Sequence, residues 1–197
     1  NPLVREHIYN IKSSNSIGKK LNLLVVGGSQ GANIFDKSLK NLIVSISKKK
    51  PIQIIQQTNV NSVLELSNFY SKYNIENKIF SFDKNFSKIL HQVDLCITRA
   101  GASTLAELSV SNIPFIAVPL PSSKDNHQLE NANFYKDNGC CWIIEQDNFE
   151  EKIEETLKNI IKDNSDFFKK KENLKKINYK NTWINVNQKI LRSLNEN

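Results

Sequence analysis

Apolar residues fall along this chain in short, nearly unbroken runs, separated by longer stretches in which they recur every third or fourth position. The runs cover residues 21–26, 52–56, 78–82, 93–98, 114–118 and 141–144. Runs of this length without polar alternation read as strands buried on both faces, as in a parallel sheet. The stretches between and after them, 34–46, 60–73, 86–91, 105–110, 128–136 and 149–161, carry the helical period. This alternation predicts an α/β fold: a doubly wound, parallel, six-stranded sheet of Rossmann-like type with right-handed crossovers. Beyond residue 165, apolar positions at Phe168, Leu174, Ile177, Trp183, Ile184, Val186, Ile190 and Leu191 predict one or two amphipathic helices with no strand after them. The predicted division is a sheet domain over 1–164 and a helical tail over 165–197. The tail either packs on its own domain's flank or straps across to a neighbour.

In such a sheet, ligands sit at the carboxyl ends of the strands, where loops meet the amino ends of helices. Three of these loops carry chemistry. The first, Gly27-Gly28-Ser29-Gln30-Gly31-Ala32, lets the backbone approach a phosphate, and the helix behind it presents free amides and a positive dipole end. A dinucleotide fingerprint is not supported, because Val26 stands where its first glycine belongs and the second strand ends in Gln56-Gln57 rather than an acid. A G-x-x-x-x-G-K-[ST] loop is absent. A tight strand-to-helix turn with no ligand remains open for this loop alone. The second loop runs from Thr98-Arg99-Ala100-Gly101 into Ala102-Ser103-Thr104-Leu105-Ala106-Glu107. Ser103 and Thr104 suit a helix cap and first turn, while Glu107 either complements the dipole or accepts from both hydroxyls of a ribose. The third, residues 119–128, holds Pro119 and Pro121 at a rigid exit and offers Asn126, His127 and Gln128 at a helix start. Uncharged polar groups there suit sugar hydroxyls. Together the loops point to a nucleoside diphosphate.

Composition narrows this further. A chain of 197 residues with 39% hydrophobic content closes its own core. The net charge of +7 favours anionic partners only loosely, since asparagine, lysine and isoleucine are abundant throughout. Cys96, Cys140 and Cys141 lie in apolar runs without zinc or disulfide spacing, which predicts a reducing, cytoplasmic setting. No cluster of histidines and carboxylates suggests a metal site or a Ser/His/Asp triad. No run reaches the ~18 apolar residues of a membrane span, and no secretory leader opens the chain. The chain begins at Asn1 and holds no methionine, so it reads as a piece of a longer protein.

Four segments in register, Asn1-Pro2-Leu3-Val4-Arg5, GGSQGA, RAGASTLAE and KDNHQLENA, resemble the C-terminal half of the MurG-type N-acetylglucosaminyltransferases of peptidoglycan synthesis, over nearly all the chain. The resemblance implies a two-domain GT-B glycosyltransferase whose C-terminal half holds UDP-N-acetylglucosamine. Arg5 and Ser29 would contact the diphosphate, within a loop formed by Gly28, Gln30 and Gly31. Gly101, Ala102, Ser103, Thr104 and Leu105 would line phosphate and sugar, Glu107 would hold the ribose, and His127 and Gln128 the sugar hydroxyls. The uracil edge would meet backbone near Phe82 and Asp83. The implied reaction is inverting transfer of N-acetylglucosamine to a muramyl-pentapeptide on undecaprenyl pyrophosphate, at the cytoplasmic face of the inner membrane. It implies no metal, cofactor or nucleic acid. Two departures stand out. Asn59 follows Gln56-Gln57-Thr58 where the family often has glycine, and the N-terminal, acceptor-binding domain lies outside this chain, so no general base is assigned and the piece alone is expected to be inactive. The family's last helix commonly crosses to that domain, which favours the strap. An alternative is a non-catalytic nucleotide-sugar binding subunit that needs a separate partner chain; a related enzyme acting on diacylglycerol fits the N-P-V-R and GGSQGA wording less well.

Overall fold

The computed structural model describes residues 4–11, 17–177, 186–188 and 191–193, without the side chains of 29–32. Asn1 to Leu3 of the entry motif, and Trp183, Ile184 and Ile190 of the tail, lie outside the described residues. The strands are β1 (Leu21–Val26), β2 (Ile52–Gln57), β3 (Glu76–Phe80), β4 (Leu95–Thr98), β5 (Phe115–Ala117) and β6 (Cys141–Ile143). All pair in parallel in the order β3-β2-β1-β4-β5-β6. This is the predicted doubly wound sheet, with its change of winding direction between β1 and β4.

The helices are α1 (Gly28–Ser47), α2 (Val63–Lys72), α3 (Phe86–Leu90), α4 (Ala102–Val110), α5 (His127–Asp137), α6 (Phe149–Lys162) and α7 (Ser165–Lys176). Side chains alternate across each strand, so every strand feeds two cores. On one face Leu23, Val25, Ile97 and Ile116 meet Phe35, Leu39 and Ile43 of α1, Tyr70 of α2 and Phe149 and Ile153 of α6. On the other, Leu24, Cys96, Phe115 and Ala117 meet Leu90 of α3, Leu105 and Leu108 of α4, Tyr135 of α5, and Val4 and Ile8 of the entry segment. The central β4 and β5 are buried at every position, whereas the edge strand β3 is exposed or half-exposed at all but Phe80.

Several boundaries differ from the sequence reading, among them those of β3, α1 and α4. β3 begins at Glu76 and ends at Phe80, so Phe82 lies in a loop. The sequence pattern misplaces this strand because an edge position tolerates Glu76, Asn77 and Lys78, while the aromatic alternation after them looks more strand-like. α1 and α4 begin earlier than the periodicity, since their opening turns are glycine and small polar residues that carry no apolar signal.

The first helix of the tail, α7, packs on its own domain. Phe167, Lys171 and Leu174 of α7 are buried. Trp142 Nε1 donates to Asp166 Oδ2 at 2.9 Å, and Lys170 Nζ lies 4.6 Å above the same indole. Asn173 Nδ2 donates at 3.2 Å to the carbonyl of Gly139, the glycine that ends α5 with φ +67°. At the amino ends of the strands, Asp94 Oδ2 accepts from the Asn22 amide at 2.8 Å and from Asn22 Nδ2 at 3.0 Å. Lys171 supplies an attracting positive charge to this carboxylate. Burial nevertheless dominates, holding the Asp94 carboxyl above its ordinary range and the Lys171 ammonium below its own. All three cysteines are free and buried, with burial raising the Cys140 thiol to about 11 and Cys141 to about 12.

Candidate functional site

The three loops singled out in the sequence leave adjacent strands. Val26 of β1 is in register with Thr98 of β4, and Thr98 with Ala117 of β5. Backbone bonds extend the contact beyond the strands, from the Arg99 amide to the Val26 carbonyl at 3.1 Å and from the Val118 amide to the Thr98 carbonyl at 2.8 Å. They therefore meet at the point where the strand order reverses, which in an open α/β sheet leaves a crevice.

At the first loop, Gly27 alone separates β1 from α1, and Gly28 takes φ +66°. Nothing would touch a Cβ there, so the left-handed backbone rather than crowding requires glycine. The Gly28 amide donates to Gln57 Oε1 at 3.2 Å, and Gln57 Nε2 donates to the Ser81 carbonyl at 3.2 Å. Gln57 thus ties the first loop to the one leaving β3. The backbone of 29–32 forms the opening turn of α1, while the expectations for the Ser29 and Gln30 side chains lie outside the described residues. Asn59, the departure from the family pattern, is extended at φ −66° and ψ 147°, a conformation that needs no glycine; its Nδ2 donates to Asn33 Oδ1 at 2.6 Å. Behind it, Asp36 accepts from Gln56 Nε2 at 2.7 Å and from the Thr58 hydroxyl at 2.5 Å, and the Tyr70 hydroxyl donates to Gln56 Oε1 at 3.1 Å. Burial raises both the Asp36 carboxyl and the Tyr70 phenol above their ordinary values.

At the second loop, Gly101 is the cap of α4 and no side chain caps it. Ser103 and Thr104 lie in the first turn rather than at the cap, and Gly101, Ala102, Ser103 and Thr104 are exposed or half-exposed. Their amides are among the first four of the helix, which lack intrahelical acceptors. The Leu105 side chain is fully buried in the core, so only its backbone reaches this edge. Glu107 stands on the same helix, about 7.5 Å further along its axis. Both its oxygens are taken by Arg5, with Nε 3.0 Å from Oε1 and Nη2 3.0 Å from Oε2. Arg5 and Glu107, assigned to different parts of a ligand from sequence, are brought together as one bidentate ion pair.

At the third loop, Asp125 and Asn126 are successive left-handed residues, with φ 51° and 54°. Short Asp and Asn side chains tolerate this geometry, which turns the chain into α5. The His127 Nδ1–H donates to the Lys124 carbonyl at 2.5 Å, leaving Nε2 as the ring's acceptor in the neutral form. Gln128 Oε1 accepts from the Ala100 amide at 3.2 Å and from the Leu120 amide at 3.0 Å, joining the second and third loops. Asn131 Nδ2 strengthens the joint by donating to the Ala100 carbonyl at 3.1 Å. With its oxygen so occupied, Gln128 has only Nε2 donors left to offer.

Phe82 and Asp83 lie in the loop leaving β3. Phe82 is 75% exposed, and Asp83 accepts from Lys78 Nζ at 2.7 Å and from the Asn85 amide at 2.7 Å, bonds that lower its pKa. Gln57 and the Ser81 carbonyl link this loop to the glycine turn.

One residue of the site escaped the sequence reading as a functional group. Arg99, only 8% exposed, donates from Nη1 to the Val118 and Pro119 carbonyls at 3.2 and 3.4 Å and from Nη2 to Gln146 Oε1 at 2.7 Å; its guanidinium lies 5.2 Å from the Phe35 ring centre. Those partners are neutral, so a full positive charge sits behind the second and third loops. Desolvation lowers its pKa, but a guanidinium stays protonated. No cluster of three or more His, Cys, Asp or Glu fit to hold a metal occurs among the described residues, and no described helix is long and apolar enough to cross a membrane. The arrangement places the opening turn of α4, a buried cation, an Arg5-paired carboxylate and the Gln128 amide donors at one edge of the sheet.

The model of the glycosyltransferase family 28 C-terminal domain matches residues 22–182. The chain is 44% identical, over 99% of its length, to 55% of the UDP-N-acetylglucosamine-N-acetylmuramyl-(pentapeptide) pyrophosphoryl-undecaprenol N-acetylglucosamine transferase of Pelagibacter ubique. It is 35% identical to the transferase of the same description from Rickettsia bellii, over 77% of this chain and 44% of that one. The crystal structure of Acinetobacter baumannii MurG superposes with a TM-score of 0.77 at 25% identity, covering 98% of this chain and 54% of that one. The chain therefore spans about half the length of the relatives it matches.

Proposed function

We propose, from the premise that this chain belongs to glycosyltransferase family 28 as a C-terminal domain, that it is the donor-binding half of an inverting N-acetylglucosaminyltransferase. Its donor is UDP-N-acetylglucosamine. The acceptor is a muramyl-pentapeptide carried on undecaprenyl pyrophosphate, bound by a preceding domain at the cytoplasmic face of the membrane. The observation that carries this reading is the convergence of three loops from β1, β4 and β5 at the reversal of strand order.

The diphosphate sits against the opening turns of α1 and α4, whose amides and positive dipole ends receive its oxygens. Glu107 accepts from the ribose hydroxyls, and the uracil edge reaches backbone of the loop holding Phe82 and Asp83. His127 and Gln128 meet the sugar hydroxyls, with Gln128 acting as donor because its oxygen is held by two amides. As the bond from sugar to phosphate breaks, negative charge builds on the departing diphosphate. Helix amides aimed at those oxygens before reaction stabilise that charge without reorganising, and Arg99 adds a fixed positive field from behind. The acceptor hydroxyl and the base that deprotonates it belong to the preceding domain.

Calorimetry with UDP, UDP-N-acetylglucosamine and NAD tests this. Heat with both uridine ligands and none with NAD is expected; no heat with either uridine ligand overturns the reading.

A further inference from the structure

Arg5 and Glu107 meet fork to fork, each of two guanidinium nitrogens 3.0 Å from a different carboxylate oxygen. A carboxylate has about four acceptor positions. The two that point the same way are the ones a bidentate partner uses, and here Arg5 uses them. A vicinal diol that donates to both oxygens needs that same face, because the two remaining positions diverge. The Glu107 side chain is only 12% exposed, so those outer positions are largely closed by protein. Ribose and Arg5 therefore compete for Glu107.

The two partners are not equally fixed. Glu107 is part of α4, whereas the Arg5 side chain is 48% exposed and hangs from an entry segment whose Val4 and Ile8 anchor the backbone in the core. The side chain can swing while its backbone stays. The opening turn of α4 lies about 7.5 Å along the axis from Glu107, which is within the sweep of an arginine side chain. A displaced guanidinium finds phosphate oxygens there, which it binds as well as a carboxylate.

Resting on the donor-site reading above, we propose that Arg5 is a specificity-determining residue: it holds the ribose-binding face of Glu107 and yields it to ligands that bring a diphosphate to receive the guanidinium. A nucleoside without phosphates must displace Arg5 with nothing to offer in return, so the exchange selects nucleoside diphosphates over nucleosides.

The competition predicts effects of opposite sign. In NMR shift titrations, Arg5→Gln should bind uridine about two- to fivefold more tightly than the unaltered protein, the scale of one exposed ion pair. It should bind UDP about tenfold more weakly, through loss of a charge-assisted contact. Arg5→Lys keeps the charge without the fork, so it should recover part of the UDP affinity and retain the gain for uridine. A fall in uridine affinity matching that for UDP would mean that Arg5 merely holds Glu107 in place, and would overturn the exchange; so would no change in either ligand. Failure of the unaltered protein to bind UDP would instead remove the donor-site reading, and this inference with it.

Discussion

Asp94 and Glu107 are both carboxylates with a cation nearby, at opposite ends of the same sheet. Asp94 is 4% exposed, bound by both nitrogens of Asn22 and attracted by a Lys171 that is 2% exposed. Its hydrogen bonds join the residue before β4 to β1, and its charge attracts Lys171 of α7. Glu107 has a partner with a 48% exposed side chain, and it stands on the helix whose opening residues, Gly101 to Thr104, are exposed or half-exposed. The exposure of the cation, not its presence, separates the two acids. Removing half of a buried pair leaves an uncompensated charge, whereas an exposed pair can trade partners at little cost.

The comparison fails if the two ends respond alike. Asp94→Ala should have the largest effect, costing about 3 kcal/mol by leaving both Asn22 donors without their acceptor and removing a charge that attracts the buried Lys171, and lowering the melting temperature by about 6–12 °C. UDP affinity of the folded fraction should be unchanged, and a parallel loss would dissolve the distinction. Glu107→Ala should do the reverse: UDP about tenfold weaker in calorimetry, melting within about 2 °C of the unaltered chain, and Ser123→Ala neutral in both. Gln128→Glu keeps an oxygen for the Ala100 and Leu120 amides but removes the outward donor. It should weaken UDP-N-acetylglucosamine about fivefold while leaving UDP itself nearly unaffected; equal weakening of both would place Gln128 away from the sugar.

The smallest effect is a pH slope at the amino end. Because burial raises the Asp94 carboxyl above the usual 3.8, the folded state keeps its proton to higher pH than the unfolded chain. This group's contribution to stability therefore falls as pH rises from the unfolded value through the folded one. Urea unfolding across that range should show the unaltered chain losing stability relative to Asp94→Asn as pH rises. An opposite trend would mean that the Asn22 bonds and Lys171 outweigh burial.

The sheet was legible in the sequence because five of its six strands are apolar enough to declare themselves, and β4 and β5 are buried throughout. β3 was displaced because its edge position accepts charged residues. The three loops were legible from their glycines, their prolines and the polar residues at the helix starts, although the cap of α4 is Gly101 rather than Ser103. What stayed hidden depends on partners distant in sequence. Nothing local marks Gln57 as the link between Gly28 and Ser81, or Gln128 as a joint between two loops with its oxygen turned inward. The pairing of Arg5 with Glu107 spans 102 positions. A lone arginine after a strand likewise does not disclose that carbonyls and an aromatic ring will enclose it.

That enclosed arginine bears on how ligand affinity responds to salt. Mobile ions weaken attractions that pass through solvent, with a reach of about 10 Å at 0.1 M, but they scarcely reach a charge inside the protein. Lysines supply most of the chain's +7, and their pull on an anion should fade as salt is added. The field of Arg99, wedged between Phe35 and the carbonyls of Val118 and Pro119, should persist. An anion bound at these loops should then keep a floor of affinity that ionic strength does not remove, set by one cation rather than by the basic surface.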